Sequence, residues 1–384
     1  MKRHLQKFGD WLERRWVQPA FAGWFCLGLS LFYLGSAANT MSGWLYAISG
    51  ASLALLGIAA ILPPRSLRHL QLKRQSIDPV SSGESLTVIL EIHNPQRRPK
   101  LLLQLQDEIP PRLGTPPKRV IESLAGGETL RWIYQHQAAQ RGIYHWHQVS
   151  LRTAAPLGLF WCRRSRQVPG KAIVYPQVLP LQRCPLIDGI GQEENPVFSA
   201  YERQVQPASE GLTRALRPYR FGDPMRMIHW RTSARYGELR VRELEVFQSG
   251  LDAVIALDTA AHWNAEDFEQ GAIAAASLYF YASQMQLNVR LSTAKTGLVN
   301  GHRVVLETLA GASFGESFRE SETGTPIGDR PTIWLTPNAA TLDNLSPSSR
   351  WILWGQSVSP NVTSRGIGID PGQDLQRQLQ SLLK

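Results

Sequence analysis

Cysteine is scarce in this chain, and its spacing excludes several classes of small stabilised domain. Only three cysteines occur in 384 residues, at Cys26, Cys162 and Cys184. They are too few and too scattered for a disulfide framework, and no CxxC pair suggests a zinc or redox site. A reducing compartment therefore fits the sequence better than an oxidising one.

Charge is also sparse, and its sign is unbalanced. Charged residues make up 19% of the chain and hydrophobic residues 43%, which is too apolar for a disordered polypeptide. Lysine and arginine outnumber the acids by 41 to 31, which gives a formal net charge of +10 at pH 7. This balance favours acidic neighbours, which are nucleic acid, an anionic membrane surface or an acidic protein patch. The length exceeds what one hydrophobic core usually holds and predicts two or three folded units.

Two long segments near the amino terminus have no charged residue at all. They are Ala20–Ala38 and Trp44–Leu62. At a rise of about 1.5 Å per residue, a helix of either length crosses the hydrocarbon layer of a membrane, which is roughly 30 Å thick. The connection between them is short and polar. Residues 17–62 are therefore predicted to form a transmembrane hairpin whose two outer ends lie on the same side.

Basic residues flank the outer end of each span. Lysines and arginines precede the first span, in a basic tail over residues 1–16, and follow the second at Arg65, Arg68, Lys73 and Arg74. The positive-inside rule then predicts insertion in the cell (inner, cytoplasmic) membrane with the bulk of the chain in the cytoplasm. The alternatives are a cleaved signal peptide or two buried core helices. A signal peptide is disfavoured because its apolar region is usually shorter and because a basic stop-transfer cluster follows.

Short alternating strands follow the hairpin. Ser85–His93 alternates with period two and ends at the turn dipeptide Asn94-Pro95. Several short strands without helical intervals predict an antiparallel β-sandwich over residues 66–180. The other strand candidates are Leu101–Gln106, Thr129–Gln135, Gly142–Leu151 and Lys171–Tyr175.

The pattern changes again in residues 250–384. Leu251–Leu257 is a largely apolar run that ends at Asp258, as a buried strand ends where its loop begins. Strands that alternate with helices predict an α/β domain with a parallel sheet, whose ligands commonly bind beyond the carboxyl ends of the strands. Further strand candidates are Val289–Thr293, Thr332–Thr336 and Trp351–Trp354, and helix candidates are Phe268–Gln286, Val304–Ala310 and Leu375–Leu383.

The connector over residues 181–249 contains a dense arginine cluster. Eight arginines and two acids lie between Arg214 and Arg242. Like charges at this density repel each other unless something anionic meets them. The cluster is therefore either a partner surface or an internal ion-pair network, and the candidate acids for such a network are Glu238, Glu243 and Glu245.

A helix is predicted inside this cluster. Asp223 is placed to cap a helix that begins at Pro224, and Gly237 is placed to end it. A helix of that length would bring His229 and Ser233 onto one face.

Residues 217–239, RPYRFGDPMRMIHWRTSARYGEL, resemble the signature of domain-of-unknown-function family 58 (DUF58), the membrane-associated partners of MoxR-type AAA+ ATPases. The two-span amino terminus, the sandwich and an α/β domain similar to the von Willebrand factor A fold extend the resemblance. Two departures stand out: Ala155 precedes Pro156 where the family usually has an acidic residue before the proline, and the α/β domain is short. The resemblance implies a partner-binding role for Arg217, Tyr219, Gly222, Asp223, Arg226, His229, Trp230, Ser233 and Arg235.

The same resemblance raises the question of a metal site at Asp258. The metal-binding loop of von Willebrand A folds has an aspartate followed at two and four positions by serine, because hydroxyl oxygens suit Mg²⁺. Here Ala260 and His262 occupy those positions. The loop is degenerate, and we expect it to hold no metal and the chain to need no cofactor.

Two other function classes can be built from the signature. A hydrolase would use His229 and Ser233 with Asp223, but no second catalytic motif accompanies them. An anionic-ligand or nucleic-acid binding module would use the arginines, but no aromatic stacking platform is evident and a membrane anchor restricts access to a genome. The sequence therefore predicts a non-enzymatic, membrane-anchored cytoplasmic scaffold or adaptor. The resemblance implies a MoxR-type ATPase as its partner and a role in the assembly or maturation of other proteins.

Overall fold

The computed structural model describes residues 11–190, 207–219, 225, 228–245, 252–316, 330–346, 348–355, 365–370 and 372–381, with the backbone alone for 207–217, 242–245 and 344. The chain divides into two compact units. The first comprises Met1–Gln177 with Leu306–Ala312, and the second comprises Val178–Val305 with Ser313–Lys384.

The first unit begins with two long apolar helices, α1 (Phe21–Thr40) and α2 (Gly43–Ser66). Both are long and apolar enough to span a membrane. Large apolar side chains on them face outward, with Phe21 90% and Trp44 81% exposed. Core helices of a soluble protein would bury such side chains, so the exposure favours the transmembrane prediction. The two helices are joined by a hydrogen bond of 2.9 Å from Ser49 Oγ to the carbonyl of Ser30.

Two antiparallel sheets follow the helices, in agreement with the alternating pattern of the sequence. One sheet has the order β2-β4-β7, and the other has the order β1-β9-β8-β5-β6 with β3 paired to β9 in parallel. The strands are β1 (Gln18–Pro19), β2 (Gln71–Arg74), β3 (Val80–Ser81), β4 (Ser85–His93), β5 (Lys100–Asp107), β6 (Lys118–Leu124), β7 (Thr129–Gln137), β8 (Gly142–Thr153) and β9 (Phe160–Tyr175).

The apolar faces of these strands form the core of the first unit. Alternation in β4 buries Leu86, Val88, Leu90 and Ile92. Two clusters result, and both draw side chains from strands of the two sheets. Full burial of a leucine or isoleucine side chain contributes about 1.5–3 kcal/mol, so this face dominates the stability of the sandwich.

The outer ends of the helical hairpin are attached to the sandwich. The backbone N–H of Ala20 donates to the carbonyl of Leu159 over 2.8 Å, just before α1. At the other end, Arg166 Nη2 donates to the carbonyl of Leu67 over 3.1 Å, just after α2. Both outer ends therefore meet the same domain, as expected for a hairpin that leaves and re-enters one side of a membrane.

The second unit contains a two-stranded ribbon and a six-stranded mixed sheet. The mixed sheet has the order β14-β13-β12-β15-β16-β17, and only the β13–β14 pair is antiparallel. The strands are β10 (Pro207–Pro218), β11 (Arg240–Glu245), β12 (Asp252–Leu257), β13 (Asn288–Thr293), β14 (Gly297–Val299), β15 (Thr332–Thr336), β16 (Arg350–Trp354) and β17 (Gly366–Ile369). The helices are α3 (Pro185–Asp188), α4 (Trp230–Tyr236), α5 (Ala265–Gln284), α6 (His302–Gly311) and α7 (Leu375–Gln380).

Candidate functional site

The helix of the arginine-rich signature is shorter than the sequence predicted. It begins at Trp230 and not at Pro224, so the prediction of its start is wrong. The backbone before it pairs with β11 instead, because Ile228 bridges Val241 and the N–H of His229 donates to the carbonyl of Arg240 over 2.9 Å. A segment committed to a strand partner cannot also supply the first turns of a helix.

The ends of α4 are fixed by its own residues. The His229 side chain takes the place of the expected aspartate cap, because its Nδ1 accepts from the backbone N–H of Thr232 over 3.2 Å. Gly237 ends the helix at a φ of 71°, which confirms its predicted role. A residue with a Cβ is disfavoured at that φ, so glycine there has a conformational reason.

The buried face of α4 is attached to β11 through Ser233. Its Oγ accepts from the backbone N–H of Arg240 over 2.9 Å and donates to the carbonyl of His229 over 3.1 Å. Ser233 is only 5% exposed, so both bonds are shielded from water. On the other side of the ribbon, the N–H of Tyr219 donates to the carbonyl of Leu239 over 2.8 Å. Helix and ribbon therefore form one hydrogen-bonded unit.

The opposite face of α4 is open to solvent and combines aromatic and cationic side chains. Trp230 and Tyr236 are 60% and 58% exposed, and Arg231 and Arg235 are exposed as well. The guanidinium of Arg240 lies 4.3 Å from the centre of the Tyr236 ring, within cation–π range. Neither Arg231 nor Arg235 forms an ion pair with any other described residue. We call Trp230, Arg231, Arg235, Tyr236 and Arg240 the signature surface.

The structure describes only some of the other predicted signature residues. Gly222, Asp223 and Arg226 lie outside the described residues, and Arg217 is described only as backbone in β10. Tyr236 and Arg240 are part of the signature surface although no sequence pattern predicts a role for them. One feature of the sequence points to Tyr236: it directly precedes Gly237, which ends the helix, within the arginine-rich stretch.

The geometry around His229 gives no support to the hydrolase alternative. The imidazole Nδ1 lies 2.7 Å from Thr232 Oγ1 and also caps the helix. Ser233 Oγ is engaged with backbone groups and forms no hydrogen bond with the imidazole in the described part of the chain. A serine nucleophile needs its hydroxyl within reach of the base, and here the two side chains serve separate structural bonds.

The Asp258 loop lies at the carboxyl end of β12, where the sequence placed it. One carboxylate oxygen accepts from Thr336 Oγ1 over 2.8 Å and the other accepts from the backbone N–H of Ala261 over 3.2 Å. Burial raises the pKa of Asp258, while these hydrogen bonds act in the opposite direction. His262 is exposed, and Thr336 is the neighbouring hydroxyl on β15.

These contacts leave Asp258 with protein donors on both carboxylate oxygens. Within the described ranges, no group of three or more histidine, cysteine, aspartate or glutamate side chains is close enough to hold a metal. The expectation of a metal-free loop stays a prediction. In the structure, both oxygens of the Asp258 carboxylate already accept hydrogen bonds, from Thr336 and Ala261.

Fold and site together define a multidomain protein with two helices long enough to span a membrane, antiparallel sheets and a mixed α/β sheet. A family model described as "Protein of unknown function DUF58" matches residues 215–297, which include the signature helix and β12. The match confirms, over those residues, the resemblance found in the sequence.

No curated protein matches the chain. Solved structures similar to parts of it include the CARDB domain of the PF1109 protein from Pyrococcus furiosus, at 12% identity and a TM-score of 0.19 over 27% of this chain and 93% of that one. A putative late embryogenesis abundant protein has 14% identity and a TM-score of 0.20 over 28% and 74%. A β-glucosidase from Listeria innocua has 17% identity and a TM-score of 0.16 over 26% and 16%. Likenesses this slight carry no argument about fold or function.

Proposed function

We propose that this protein is a membrane-anchored cytoplasmic adaptor that binds a MoxR-type AAA+ ATPase through the signature surface and assists the assembly or maturation of other proteins. In this proposal the hairpin of α1 and α2 is the anchor. The mixed sheet is a degenerate von Willebrand A-like domain that supports the surface without a metal.

The observation that carries the proposal is that Arg231 and Arg235 are exposed beside two exposed aromatic rings and pair with no acid among the residues that the structure describes. Tryptophan, tyrosine and arginine are the residues most enriched among those that dominate binding energy at protein interfaces. An exposed arginine without an acid partner contributes little to folding, so its role is better sought in association. Since Arg231 and Arg235 carry positive charge, the complementary surface of the ATPase should be acidic.

The backbone beneath the surface is suited to this role. The Ser233 bonds and the Gly237 turn hold α4 against the ribbon, so the exposed side chains project from a fixed helix. A fixed helix reduces the ordering cost of association, which otherwise subtracts from affinity.

Co-purification tests the proposal. The full chain in detergent should capture a MoxR-type ATPase from the same genome, and the double variant Arg231→Ala/Arg235→Ala should reduce capture by at least tenfold. Arg377→Ala is the matched control, because this arginine is 90% exposed on α7, away from the signature surface in sequence. Undiminished capture by the double variant, or an equal loss of capture in the control, would contradict the proposal.

A further inference from the structure

A basic pocket lies in the first unit where the second long helix ends. It has a volume of about 900 Å³ and is lined by the end of α2 with the residues after it, by the loop between β4 and β5, and by the turn at Ala155-Pro156. Five lysine and arginine side chains line it: Arg65, Arg68, Arg97, Arg98 and Lys100. We call it the membrane-proximal pocket. Its lining residues belong to the first unit, whereas those of the signature surface belong to the second.

No acid among the described residues neutralises the charge of this pocket. Of the described residues that line it, His69 is the remaining titratable one, and none is an aspartate or glutamate. None of the five cations forms an ion pair with an acid in the part of the chain that the structure describes. Five like charges around one cavity repel each other, and an anion at their centre would relieve that repulsion.

Lys100 shows the imbalance most clearly. It is 5% exposed, and its Nζ donates to the neutral Oε1 of Gln96 over 2.7 Å. A buried ammonium is normally paired with an acid, because a neutral acceptor compensates only part of the desolvation cost. Burial accordingly lowers the pKa of Lys100. A bound anion would supply the missing charge partner.

The loop that carries Arg97 and Arg98 is held in a defined shape. Asn94 is fully buried, and its Nδ2 donates to the carbonyl oxygens of Arg98, Leu124 and Ala125 over 2.9, 3.2 and 3.0 Å. Gly126 approaches the loop so closely that a Cβ there would overlap the backbone of Arg97. The two arginines are therefore presented by a rigid backbone, as a binding site requires.

The surroundings of the pocket favour a membrane as the source of an anion. One wall is the end of a helix long enough to cross a bilayer. Apolar side chains are exposed on the adjoining segments, with Leu101 44%, Leu102 56% and Leu157 45% exposed. Cations beside exposed leucines at the end of a spanning helix match the headgroup layer, where phosphates lie above the acyl chains.

We propose that the membrane-proximal pocket binds the phosphate headgroup of an anionic phospholipid from the leaflet at the outer ends of the hairpin. The guanidinium groups of Arg97 and Arg98 bind the phosphate oxygens, and Lys100 contributes a further positive charge. The exposed leucines contact the acyl chains. This site would fix the sandwich against the membrane surface. It goes beyond the proposed adaptor function and shares with it only the membrane-spanning hairpin, so it stands whether or not the chain binds an ATPase.

Binding of short-chain lipids to the full chain in detergent tests the proposal. Short-chain phosphatidylglycerol should bind saturably, whereas the phosphatidylcholine of the same chain length should bind at least tenfold more weakly. The double variant Arg97→Gln/Arg98→Gln should weaken phosphatidylglycerol binding by about tenfold or more, since each basic residue near an anionic surface adds roughly one kcal/mol. Both arginines are exposed, so the variant should fold. The matched control is Arg112→Gln/Lys118→Gln, which removes two exposed cations of the same unit outside the pocket.

Each outcome decides the matter. Retained binding in the control with loss in the pocket variant supports the proposal. Equal loss in both variants, equal binding of the two lipids, or no saturable binding overturns it. Inorganic phosphate is the third probe: if it displaces phosphatidylglycerol at equal concentration, the pocket is a site for a soluble anion, and the lipid is the wrong ligand. If the pocket variant does not fold, the wild-type comparison of the three probes still gives a result.

Discussion

Arg74 Nη2 donates to both carboxylate oxygens of Asp107, over 2.7 Å each, in the interior of the sandwich. Tyr134 Oη donates to the same carboxylate over 2.7 Å, and Trp146 Nε1 donates over 3.0 Å. Arg74 also donates to the carbonyl of Val168, and its guanidinium lies 4.9 Å from the centre of the Trp146 ring. The pair is therefore embedded in a hydrogen-bonded network that joins strands of both sheets.

Loss of either charge should destabilise the sandwich strongly. Asp107→Asn leaves the buried guanidinium of Arg74 without its counter-charge, and we expect a loss of about 3–5 kcal/mol in the free energy of unfolding. Denaturant unfolding of the full chain in detergent measures this change. Glu91→Gln is the control, because Glu91 pairs with Arg131 at the protein surface and its loss should have little effect.

A double apolar variant separates charge pairing from packing. Arg74→Met/Asp107→Leu removes both charges, and it should recover much of the stability that Asp107→Asn loses. If the double variant is less stable than Asp107→Asn, the hydrogen bonds from Tyr134 and Trp146 contribute more than the ion pair does.

The orientation of the hairpin should place its turn opposite to the sandwich. Met41 is 88% exposed between α1 and α2, and Met41→Cys should react with a membrane-impermeant maleimide in intact spheroplasts. Arg112→Cys, on the sandwich, should react only after permeabilisation, since the basic clusters predict a cytoplasmic location. The unmodified chain gives the background from its own cysteines. Reaction of the sandwich cysteine in intact spheroplasts would reverse the orientation.

Acid should stabilise the wild type relative to Asp258→Asn. Burial raises the pKa of Asp258 above its ordinary value, so the folded chain binds this proton more readily than the unfolded chain does. The stability of the wild type relative to the variant should therefore rise as the pH falls through the folded-state pKa, and the difference should be constant well above that pH. Thermal melts of both proteins across the acidic range measure it.

The hydroxyl of Thr336 gives a second test of the same group. Thr336→Val removes a donor that stabilises the carboxylate while nearly preserving side-chain volume. The pKa of Asp258 in the folded chain should therefore rise further, and the pH range over which the wild type gains stability relative to Asp258→Asn should move upward. A wild type that loses stability relative to Asp258→Asn on acidification would show that the hydrogen bonds outweigh burial at this carboxyl.

Regular patterns allowed much of this fold to be predicted from the sequence. Period-two alternation located β4 with the bounds that the structure gives, and the apolar run before Asp258 located β12 to within one residue. Short strands lack such a signal: Gly297–Val299 and Gly366–Ile369 have too few side chains for a period to be visible, and they form by pairing with a longer neighbour.

Tertiary context decides the features that the sequence patterns predict wrongly or do not reveal. Arg74 was assigned to the basic cluster that follows the second span, but it is a core residue, because Asp107 occupies a buried position of β5 and pairs with it. The alternation of Leu103, Leu105 and Asp107 was a visible sign of a buried carboxylate. The start of α4 had no such sign, since the strand partner of Ile228 is only visible in the folded chain.

The final prediction distinguishes the buried and exposed faces of α4. Ser233→Ala leaves the backbone N–H of Arg240 without its acceptor, and an unsatisfied buried donor costs about 1–3 kcal/mol. We therefore expect a lower melting temperature for Ser233→Ala. Arg231→Ala, on the exposed face, should leave the melting temperature nearly unchanged while weakening capture of the ATPase. The two variants thus separate folding from association on a single short helix. If Ser233→Ala keeps its melting temperature and loses a hydrolytic activity, the hydrolase alternative gains support; if Arg231→Ala unfolds the protein, the arginine is an internal structural residue and the partner surface lies elsewhere.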